Sequence, residues 1–401
     1  MIPLELPEPS KAEIAHSEQL CEHIKRKIEA AGGWLSFEQY MQLALYTPGL
    51  GYYSGGLQKF GEQGDFTTSP EVSPLFARSL ARPMAALLAE IPEAKIIEFG
   101  AGSGRLAADL LAELANLKQL PADYYIVELS AELQHRQRET LQQQVPELLS
   151  RVKWLSHLPE NKINAIVLAN EVLDAMPVKR FVLKNNRLQE LGVENVQQAL
   201  QLSYRDADER LSTQIASLGI KHLSINPADA ESTSEKYEYS SEINLNIKPW
   251  VASVADCIEQ GAVYLIDYGY PRQVYYSAER VMGTFIGYYQ HRAMDAPLWY
   301  PGLQDLTAFV DFTEVAEAAL EAGFDVDGYT SQGNFLINCG LADIVEKAEF
   351  ATEIARLQTL QQMKTLSLPG EMGERFKVMG LSKGLDKNIP GFEMRDARYS
   401  L

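Results

Sequence analysis

The chain is predicted to be an α/β protein built on a mostly parallel, doubly wound sheet. From residue 95 onward, short apolar runs alternate with helical patterns, which is the order of β-α-β units. These runs lack the alternation of apolar and polar residues that a half-exposed strand shows, so we expect strands buried on both faces. The 401 residues, 46% of them hydrophobic, are enough for one large domain with additions or for two domains.

The N-terminal part of the chain precedes this alternation and is predicted to be a helical extension. Apolar residues at four-residue spacing, ending at a Gly-Gly pair, predict a helix over residues 11–31. Ser36 is placed to cap a second short helix, and a loop rich in glycine and aromatic residues follows over 47–68. Ser69 is predicted to cap a further helix, because Pro70 suits the first helical position.

We divide the chain into an N-terminal extension, residues 1–92, and a core, residues 93–401. The strands of the core are predicted at Lys95–Phe99, Tyr124–Leu129, Ala165–Ala169 and Val263–Tyr268. Its helices are predicted from Arg105 to about Leu117 and from Ser130 to about Gln144.

Within residues 181–246 the alternation of strands and helices breaks, and we predict a β-rich inserted subdomain that interrupts the core. A hairpin around Asn185 and Asn186 is predicted by the segment FVLKNNRLQELGV, and another strand by QLSYRD. The polar stretch NPADAESTSEK is predicted to be a loop or a partly disordered segment.

The chain is strongly acidic. With 36 Lys and Arg against 54 Asp and Glu, its formal net charge is −18. Such a protein has no general attraction for nucleic acids or anionic membranes, so we predict neither as a partner, and a basic peptide or a small molecule fits better. The simpler interpretation is that the charge only keeps the protein soluble.

Cysteines, histidines and the N-terminal sequence indicate the class and location of the protein. Three widely separated cysteines without a CxxC pair, and scattered histidines without HExxH, predict neither a metal site nor a disulfide framework. The segment MIPLELPEPS is unlike a signal or transit peptide, and no apolar stretch approaches the roughly 18 residues that span a bilayer. We therefore predict a cytoplasmic protein.

A glycine-rich turn predicts a nucleotide-binding site. The segment IIEFGAGSGRL places Gly100, Gly102 and Gly104 directly after an apolar run. Counted from Gly100 the pattern is G-x-G-x-G; counted from Gly102 it is G-x-G-x-x-A, ending at Ala107, which dinucleotide-binding folds accept. Glu128, at the end of the next strand, suits ribose hydroxyls in either register.

Two details favour S-adenosylmethionine over NAD as the nucleotide. Gly100 follows the predicted strand immediately, which favours the G-x-G-x-G register. Glu98 would repel a pyrophosphate at the helix N-terminus, whereas it would attract the ammonium and sulfonium groups of S-adenosylmethionine. The alternative is that Glu98 is a strand residue paired elsewhere.

Several longer segments resemble the MidA family of class I S-adenosylmethionine-dependent methyltransferases, whose mitochondrial members assist the assembly of respiratory complex I. The segments are SFEQYMQLALYTPGLGYY (36–53), GDFTTSPEVSPLF (64–76), EFGAGSGRL (98–106), ANEVLDAMPVKRF (169–181), LIDYGY (265–270), GTFIGYYQHR (283–292), PGLQDLTAFVDF (301–312) and SQGNFLINCG (331–340). The resemblance implies a seven-stranded, Rossmann-like class I methyltransferase sheet with a reversed C-terminal strand, which binds S-adenosylmethionine at the carboxyl ends of its strands. The predicted insert is where the chain matches the family least.

The same resemblance implies a donor site in three parts. Glu98, Gly100, Gly102 and Gly104 would line the methionine and ribose portion, and Glu128 would hold the ribose diol. Ala101 and Leu129 are also predicted to bind the cofactor. The GDFTTSPE segment of the N-terminal extension would cover the donor as a lid loop through Asp65, Thr67 and Thr68, although these side chains could instead simply form a turn. Asn170 and Glu171 would face the transferring methyl group.

Asn170, Glu171 and Asp174 are the candidate catalytic residues. Methyl transfer is an in-line displacement at an activated sulfonium carbon, so the protein mainly aligns the acceptor and excludes water. A guanidinium, with a pKa above about 12, needs nearby carboxylates to present a nitrogen lone pair. Glu171 and Asp174 lie three residues apart just past a predicted strand end. Asp174 could instead cap a helix ahead of Ala175–Val178, and Asn170 could merely satisfy backbone groups.

Other polar residues in the matched segments have structural explanations that are at least as good. Asp267 and Tyr268 end a predicted strand and could contact substrate or simply pack. His291 is the histidine nearest the matched segments, and a lone histidine is more often structural than a base. Asp305 could hold a loop above the site, and Asp311 is predicted to cap the next helix.

We predict an enzyme that methylates an arginine of a partner protein, for example a subunit of a respiratory complex. A small-molecule methyltransferase is the first alternative and would have a closed, apolar pocket. A non-catalytic assembly factor that binds S-adenosylmethionine is the second, and a dehydrogenase survives only through the G-x-G-x-x-A register. The aromatic-rich stretch Tyr268–Tyr300 could supply the contact surface of a homodimer.

Overall fold

The computed structural model describes residues 6–55, 68–185, 187–223 and 238–401. The helices are α1 Lys11–Ala30, α2 Phe37–Tyr46, α3 Ser69–Val72, α4 Pro74–Glu90, α5 Arg105–Asn116, α6 Ala131–Gln144, α7 Glu209–Ser217, α8 Ile247–Cys257, α9 Arg272–Tyr275, α10 Phe312–Glu321, α11 Gln332–Asn338, α12 Leu341–Glu346, α13 Glu353–Ser367 and α14 Met372–Arg375. The strands are β1 Leu35–Ser36, β2 Lys95–Phe99, β3 Tyr124–Val127, β4 Val152–Leu155, β5 Ile163–Asn170, β6 Lys179–Lys184, β7 Arg187–Val196, β8 Ala199–Asp206, β9 Glu238–Ile243, β10 Ile258–Tyr270, β11 Ile286–Tyr289, β12 Arg292–Met294, β13 Asp305–Thr307, β14 Val310–Asp311, β15 Asp325–Ser331 and β16 Phe376–Lys383. Asp65, Thr67, Asn186 and the polar stretch NPADAESTSEK lie outside the described residues.

The core is a mixed sheet with the strand order β15-β16-β10-β5-β2-β3-β4. The strands β10, β5, β2, β3 and β4 are parallel, whereas β16 is antiparallel to both β10 and β15. The C-terminal strand is thus reversed, as the family resemblance implied. In the described part of the chain the sheet differs from the seven-stranded prediction, because the short strand β14 pairs with the end of β10 as an eighth strand.

Apolar residues on both faces of the sheet explain why its strands form. Ile96 and Ile97 are successive residues of β2, so they point to opposite faces, and both are fully buried. Helices α4, α5 and α11 cover the face of Ile96, and α8 and α10 cover the face of Ile97. Both faces of the sheet are thus covered, and a ligand site is expected at the carboxyl ends of the parallel strands, where the polar residues Glu128 and Asn170 stand.

The elements of the core lie close to their predicted positions. The strand β2 has the predicted bounds, α5 begins at Arg105 as expected, and Ser130 caps α6 by accepting a hydrogen bond from the amide of Leu133. The strand β10 is longer than predicted because it pairs with β5 on one side and β16 on the other.

The region of the predicted insert forms a second, antiparallel sheet. Its order is β1-β7-β6-β9, and β8 is a fifth strand that pairs with residues 189–196 of β7. The predicted hairpin is present, since Lys184 pairs with Arg187, and Asn185 has a φ of 50°. The N-terminal extension joins this sheet, because Leu35 in β1 pairs with Val193 in β7. The boundaries 181–246 of a separate subdomain stay a prediction.

A third sheet, of strand order β12-β11-β13, was not predicted from the sequence. It packs against the N-terminal extension, because Leu306 of β13 and Phe285 share an apolar cluster with Leu20 and Tyr40 of α1 and α2. The ring of Phe285 meets that of Phe37 edge-on, with 4.9 Å between centroids. The extension is thereby held near the carboxyl edge of the core sheet.

The prediction that Ser69 caps a helix is wrong by one position. The cap residue of α3 is Thr68, and its side chain makes no capping hydrogen bond. The hydroxyl of Ser69 instead donates to Oε1 of Gln332 over 3.0 Å. A tertiary partner has therefore taken the hydroxyl that the local pattern assigned to the cap.

Among the described residues, no helix has both the length and the apolar character that crossing a bilayer requires. The same part of the chain contains no group of three or more His, Cys, Asp or Glu side chains arranged to hold a metal ion.

Candidate active site

The glycine-rich turn lies between β2 and α5 in a conformation that favours glycine. Gly100, Gly102 and Gly104 have φ angles of 60°, 53° and 83°. A Cβ atom on Gly104 would lie only 2.9 Å from the Cα of Gln137. The turn can therefore approach α6 closely, and Ala101 is buried within it.

The end of β3 presents a carboxylate beside an exposed apolar side chain. Glu128 accepts hydrogen bonds from the amide of Ser130 over 2.9 Å and from Nε2 of Gln137 over 3.1 Å. Burial raises the pKa of Glu128 above its ordinary value. Leu129 is 77% exposed. A hydrogen-bond acceptor and an apolar surface thus stand side by side, as a nucleoside requires.

Gln137 connects these two parts of the site and was not predicted. Its Nε2 donates to the carbonyl oxygen of Gly102 over 3.2 Å as well as to Glu128, and its Oε1 accepts from Nε1 of Trp154 over 2.9 Å. A signal was present in the sequence, because Gln137 stands at four-residue spacing between Leu133 and Leu141 on the buried stripe of α6. A buried amide on an apolar stripe indicates a specific partner.

Glu98 is paired inside the sheet, which is the alternative that the sequence left open. It is 2% exposed, and its Oε2 accepts a hydrogen bond of 2.8 Å from the hydroxyl of Tyr124. Burial raises the pKa of Glu98 to about 7. A role of Glu98 towards a ligand stays a prediction.

Asn170 and Glu171 lie at the carboxyl end of β5. Glu171 has a φ of 54°, in the left-handed region that costs a non-glycine residue on the order of 1 kcal/mol. Its amide donates to the carbonyl oxygen of Ile266, and its carboxylate accepts from Nδ2 of Asn170 over 3.2 Å and from the hydroxyl of Tyr268 over 3.0 Å. Oδ1 of Asn170 is buried without a partner among the described residues. Backbone strain of this kind concentrates at functional sites.

Asp267, near the end of β10, shapes the loop that follows Glu171. Its Oδ2 accepts hydrogen bonds from the amides of Leu173, over 2.9 Å, and Asp174, over 3.2 Å. Burial raises the pKa of Asp267 above its ordinary value, and these amides act in the opposite direction. Of the two explanations that the sequence allowed, a structural role for Asp267 has direct support.

Asp174 does not cap a helix, because none of the residues 175–178 is helical. The backbone of Asp174 is bound elsewhere, because its amide donates to Oδ2 of Asp267 and its carbonyl oxygen accepts from the amide of Ala308 over 3.0 Å. No helix therefore starts at this residue. Asp174 is 3% exposed, and its Oδ1 has no partner among the described residues. Burial and the charges of Asp267, Asp305 and Glu171 raise the pKa of Asp174 well above its ordinary range.

The N-terminal extension adds tyrosines to the carboxylate cluster that Glu171, Asp174, Asp267 and Asp305 form. The hydroxyl of Tyr53 donates to Oδ1 of Asp305 over 2.7 Å, and that of Tyr46 donates to the carbonyl oxygen of Ala175 over 2.9 Å. The centroids of the two tyrosine rings are 5.5 Å apart. The resulting wall combines aromatic faces with carboxylates, a composition that suits a cation.

The described end of the predicted lid contacts both parts of the site. The backbone of Ser69 acts on Glu171 by lowering the pKa of its carboxyl group, and the hydroxyl of Ser103 in the glycine turn donates to Oε1 of Glu71. Thr68 precedes these contacts as the cap residue of α3. The contact of Asp65, Thr67 and Thr68 with a methyl donor stays a prediction.

Two further polar candidates, His291 and Asp311, lie in a turn and at a helix cap. His291 is exposed, has a φ of 62° and belongs to the turn between β11 and β12. Asp311 caps α10, as predicted, by accepting from the amides of Thr313 and Glu314. It also pairs with the guanidinium of Arg272 over 3.2 Å.

Residues 75–330 match a family described as S-adenosyl-L-methionine-dependent methyltransferases. Among curated proteins, the chain is similar to a protein arginine methyltransferase NDUFAF7 homolog of Drosophila melanogaster, named as mitochondrial, with 30% identity over 96% of this chain and 89% of the relative. It is also similar to the mitochondrial protein arginine methyltransferase NDUFAF7 of Homo sapiens, with 26% identity over 94% of this chain and 85% of the relative.

The names of these relatives contradict the predicted cytoplasmic location, because both are named as mitochondrial. That prediction is wrong, since the composition of an N-terminal segment does not decide where a protein resides.

Two solved structures share the whole fold. One is a Burkholderia thailandensis protein bound to S-adenosyl-homocysteine, with 40% identity, a TM-score of 0.91 and coverage of 99% of this chain and 100% of that one. The other is a native structure from the same organism, with 39% identity, a TM-score of 0.88 and the same coverage. The chain therefore has a methyltransferase-like α/β fold, and the methyl-donor register of the glycine turn is the one consistent with these relatives.

Proposed function

Because the chain belongs to the family of S-adenosyl-L-methionine-dependent methyltransferases that are related to MidA, we propose that it methylates an arginine side chain of a partner protein. The observation that carries this proposal is the carboxylate cluster at the end of β5. There Glu171 is held in a strained conformation, and the buried Oδ1 of Asp174 has no partner among the described residues. Carboxylates placed in this way suit a cationic nitrogen acceptor.

The residues of the glycine turn and of β3 fit S-adenosylmethionine. The space beside the α-carbon of Gly100 is nearly open, because a Cβ atom added there would have Val172, at 3.5 Å, as its only neighbour within 4 Å. Glu128 offers a carboxylate to ribose hydroxyls, and Leu129 offers an exposed apolar surface to the adenine ring. Gly102, Gly104 and Ala101 complete the proposed donor site, together with the predicted contacts Glu98, Asp65, Thr67 and Thr68.

The catalytic roles follow from the chemistry of the acceptor. Bound S-adenosylmethionine supplies a methyl group that its sulfonium sulfur has already activated. Glu171 and Asp174 would hold the guanidinium and align one of its nitrogens with the methyl group, and such alignment lowers the barrier to a displacement. One of the two carboxylates would take the proton that the methylated nitrogen loses. Asn170 would orient Glu171 through its amide.

Two alternatives remain testable. A small-molecule methyltransferase would need a closed, apolar pocket, whereas the wall around Asp174 contains carboxylates and tyrosines. The names of the curated relatives also favour a protein acceptor. A non-catalytic assembly factor would bind the donor and tolerate loss of Glu171. A respiratory complex subunit as the acceptor and a homodimeric state remain predictions from the sequence.

The proposal is tested by labelling with S-adenosylmethionine that carries a tritiated methyl group. The purified protein is incubated with extract from cells that lack it, and the labelled proteins are hydrolysed to amino acids. We expect label in methylated arginine, and loss of most of that label with Glu171→Gln. Binding of S-adenosylhomocysteine should be unchanged in this variant. Label in methyllysine or in small molecules alone would contradict the proposal, as would full activity of Glu171→Gln.

A further inference from the structure

We propose that Asp174 and Asp305, walled by Tyr46 and Tyr53, form the acceptor subsite and select a guanidinium over an ammonium group. This inference rests on the proposed function and deepens it, because it assigns the side chains that decide which cation is methylated. It also gives the N-terminal extension a part in substrate choice.

The first observation is the state of Asp174. Its backbone is fully engaged, since the amide donates to Asp267 and the carbonyl oxygen accepts from Ala308. Its carboxylate, however, is 3% exposed and keeps Oδ1 without a partner among the described residues. Native proteins rarely leave a buried carboxylate oxygen without a donor, so we assign the missing donor of Asp174 to a bound ligand.

The second observation is the set of charges around Asp174. The electrostatic neighbours that act on it most strongly are Asp267, Asp305 and Glu171, which are all carboxylates. Buried like charges repel one another, and the arrival of a cation relieves that repulsion. Asp267 accepts from backbone amides, whereas Oδ1 of Asp174 has no donor among the described residues, so Asp174 is the carboxylate of this group that a cationic acceptor would meet directly.

The third observation is how Asp305 is held. It is the first residue of β13 and is buried, and the hydroxyl of Tyr53 donates to its Oδ1 over 2.7 Å. Tyr46 binds the carbonyl oxygen of Ala175, the residue next to Asp174. The two tyrosines come from one segment of the N-terminal extension, with ring centroids 5.5 Å apart, so one structural unit positions both carboxylates.

These features fit a guanidinium better than an ammonium group. A guanidinium is planar, presents five N–H donors in a rigid fork and stacks on aromatic rings. An ammonium group is a compact, strongly hydrated point charge. Two carboxylates on separate elements beside tyrosine rings can accept from two edges of a planar cation at once.

The experiment titrates the protein, saturated with S-adenosylhomocysteine, with ethylguanidinium chloride and separately with propylammonium chloride. We expect the guanidinium to bind about tenfold more tightly, or better, than the ammonium. Asp305→Asn should weaken guanidinium binding by about tenfold or more and abolish the preference. Asp295→Asn is the matched control, because Asp295 is an exposed carboxylate close to the same sheet. Affinity for S-adenosylhomocysteine should stay within about twofold in both variants.

Tyr53→Phe provides a second variant in case Asp305→Asn does not fold. It keeps the ring and removes only the hydrogen bond to Asp305, so a smaller loss of preference is expected. Equal binding of the two cations by the wild-type protein, or no binding of either, would overturn the inference. So would an unchanged preference in folded Asp305→Asn or Tyr53→Phe.

The two proposals fail in different ways. If extract arginines are methylated but Asp305→Asn keeps the guanidinium preference, the function stands and the subsite is wrong. If the guanidinium preference depends on Asp305 but no methylarginine forms, the subsite stands and the proposed reaction is wrong.

Discussion

The hydroxyl of Tyr268 donates a hydrogen bond of 3.0 Å to Oε2 of Glu171. Tyr268 belongs to β10 and Glu171 follows β5, so the bond joins two neighbouring parallel strands at their carboxyl ends. Burial, together with the charge of Asp267, raises the pKa of Glu171 to about 8. The Tyr268 hydroxyl acts in the opposite direction, because it stabilises the ionised carboxylate.

The first prediction concerns the pH dependence of methyl transfer. If the reaction needs the ionised form of Glu171, kcat/KM falls as the pH decreases through about 8. Tyr268→Phe removes a donor to the carboxylate and should move this limb upward by roughly 0.5 to 1 pH unit. Tyr270→Phe, two residues along the same strand, is the control. A limb that does not move in Tyr268→Phe would show that another group titrates.

A second prediction concerns Glu98 and stability. The ordinary pKa of 4.5 applies in the unfolded chain, whereas the folded protein holds this proton up to about pH 7. As the pH rises from 4.5 to about 7, Glu98 therefore lowers the free energy of unfolding, by up to about 3 kcal/mol in total.

Glu98→Gln should remove this dependence. The free energy of unfolding, measured in urea at several pH values, should fall less steeply with rising pH in the variant than in the wild type. Glu90→Gln, at an exposed position, should follow the wild-type curve. Parallel curves for Glu98→Gln and the wild type would contradict a buried, protonated Glu98.

A third prediction concerns Gln137. Gln137→Leu removes the amide that joins Gly102 to Glu128 and leaves Nε1 of Trp154 without its partner. We expect affinity for S-adenosylhomocysteine to fall by about tenfold, and the free energy of unfolding to fall by about 1–3 kcal/mol. Calorimetric titration and urea unfolding measure the two effects. Gln143→Leu, on the exposed part of the same helix, should change neither.

A fourth prediction separates two reasons for a glycine at position 104. Gly104 and Gly323 both have a φ of 83°, but a Cβ atom on Gly104 meets the backbone of Gln137 whereas nothing lies within 4 Å at Gly323. Gly323→Ala should lose only the conformational term, about 1 kcal/mol. Gly104→Ala should lose more, and should also weaken donor binding, because the turn must move away from α6. Equal losses in urea unfolding would show that the close approach is unimportant.

Much of the fold was predictable because it depends on local patterns. The bounds of β2, the start of α5 and the cap at Ser130 follow from neighbouring residues in the sequence. The strands β4 and β15 and the three-stranded sheet were missed, and the family resemblance implied β16 without its bounds, since short strands have little local signature apart from their pairing partners. Ser69 was misassigned for the same reason, because its hydroxyl binds Gln332, far away in the sequence.

The sequence by itself determined the class of the sheet, the glycine turn and the family, because periodicity, turn chemistry and segment likeness are properties of neighbouring residues. Only the tertiary structure decided which side chains form the proposed acceptor subsite. Tyr53 and Asp305, 252 positions apart, meet because α2 packs on β13. Gln137 meets the glycine turn in the same way, through the packing of α5 against α6. Such contacts depend on burial and register across the whole chain, which no local pattern specifies.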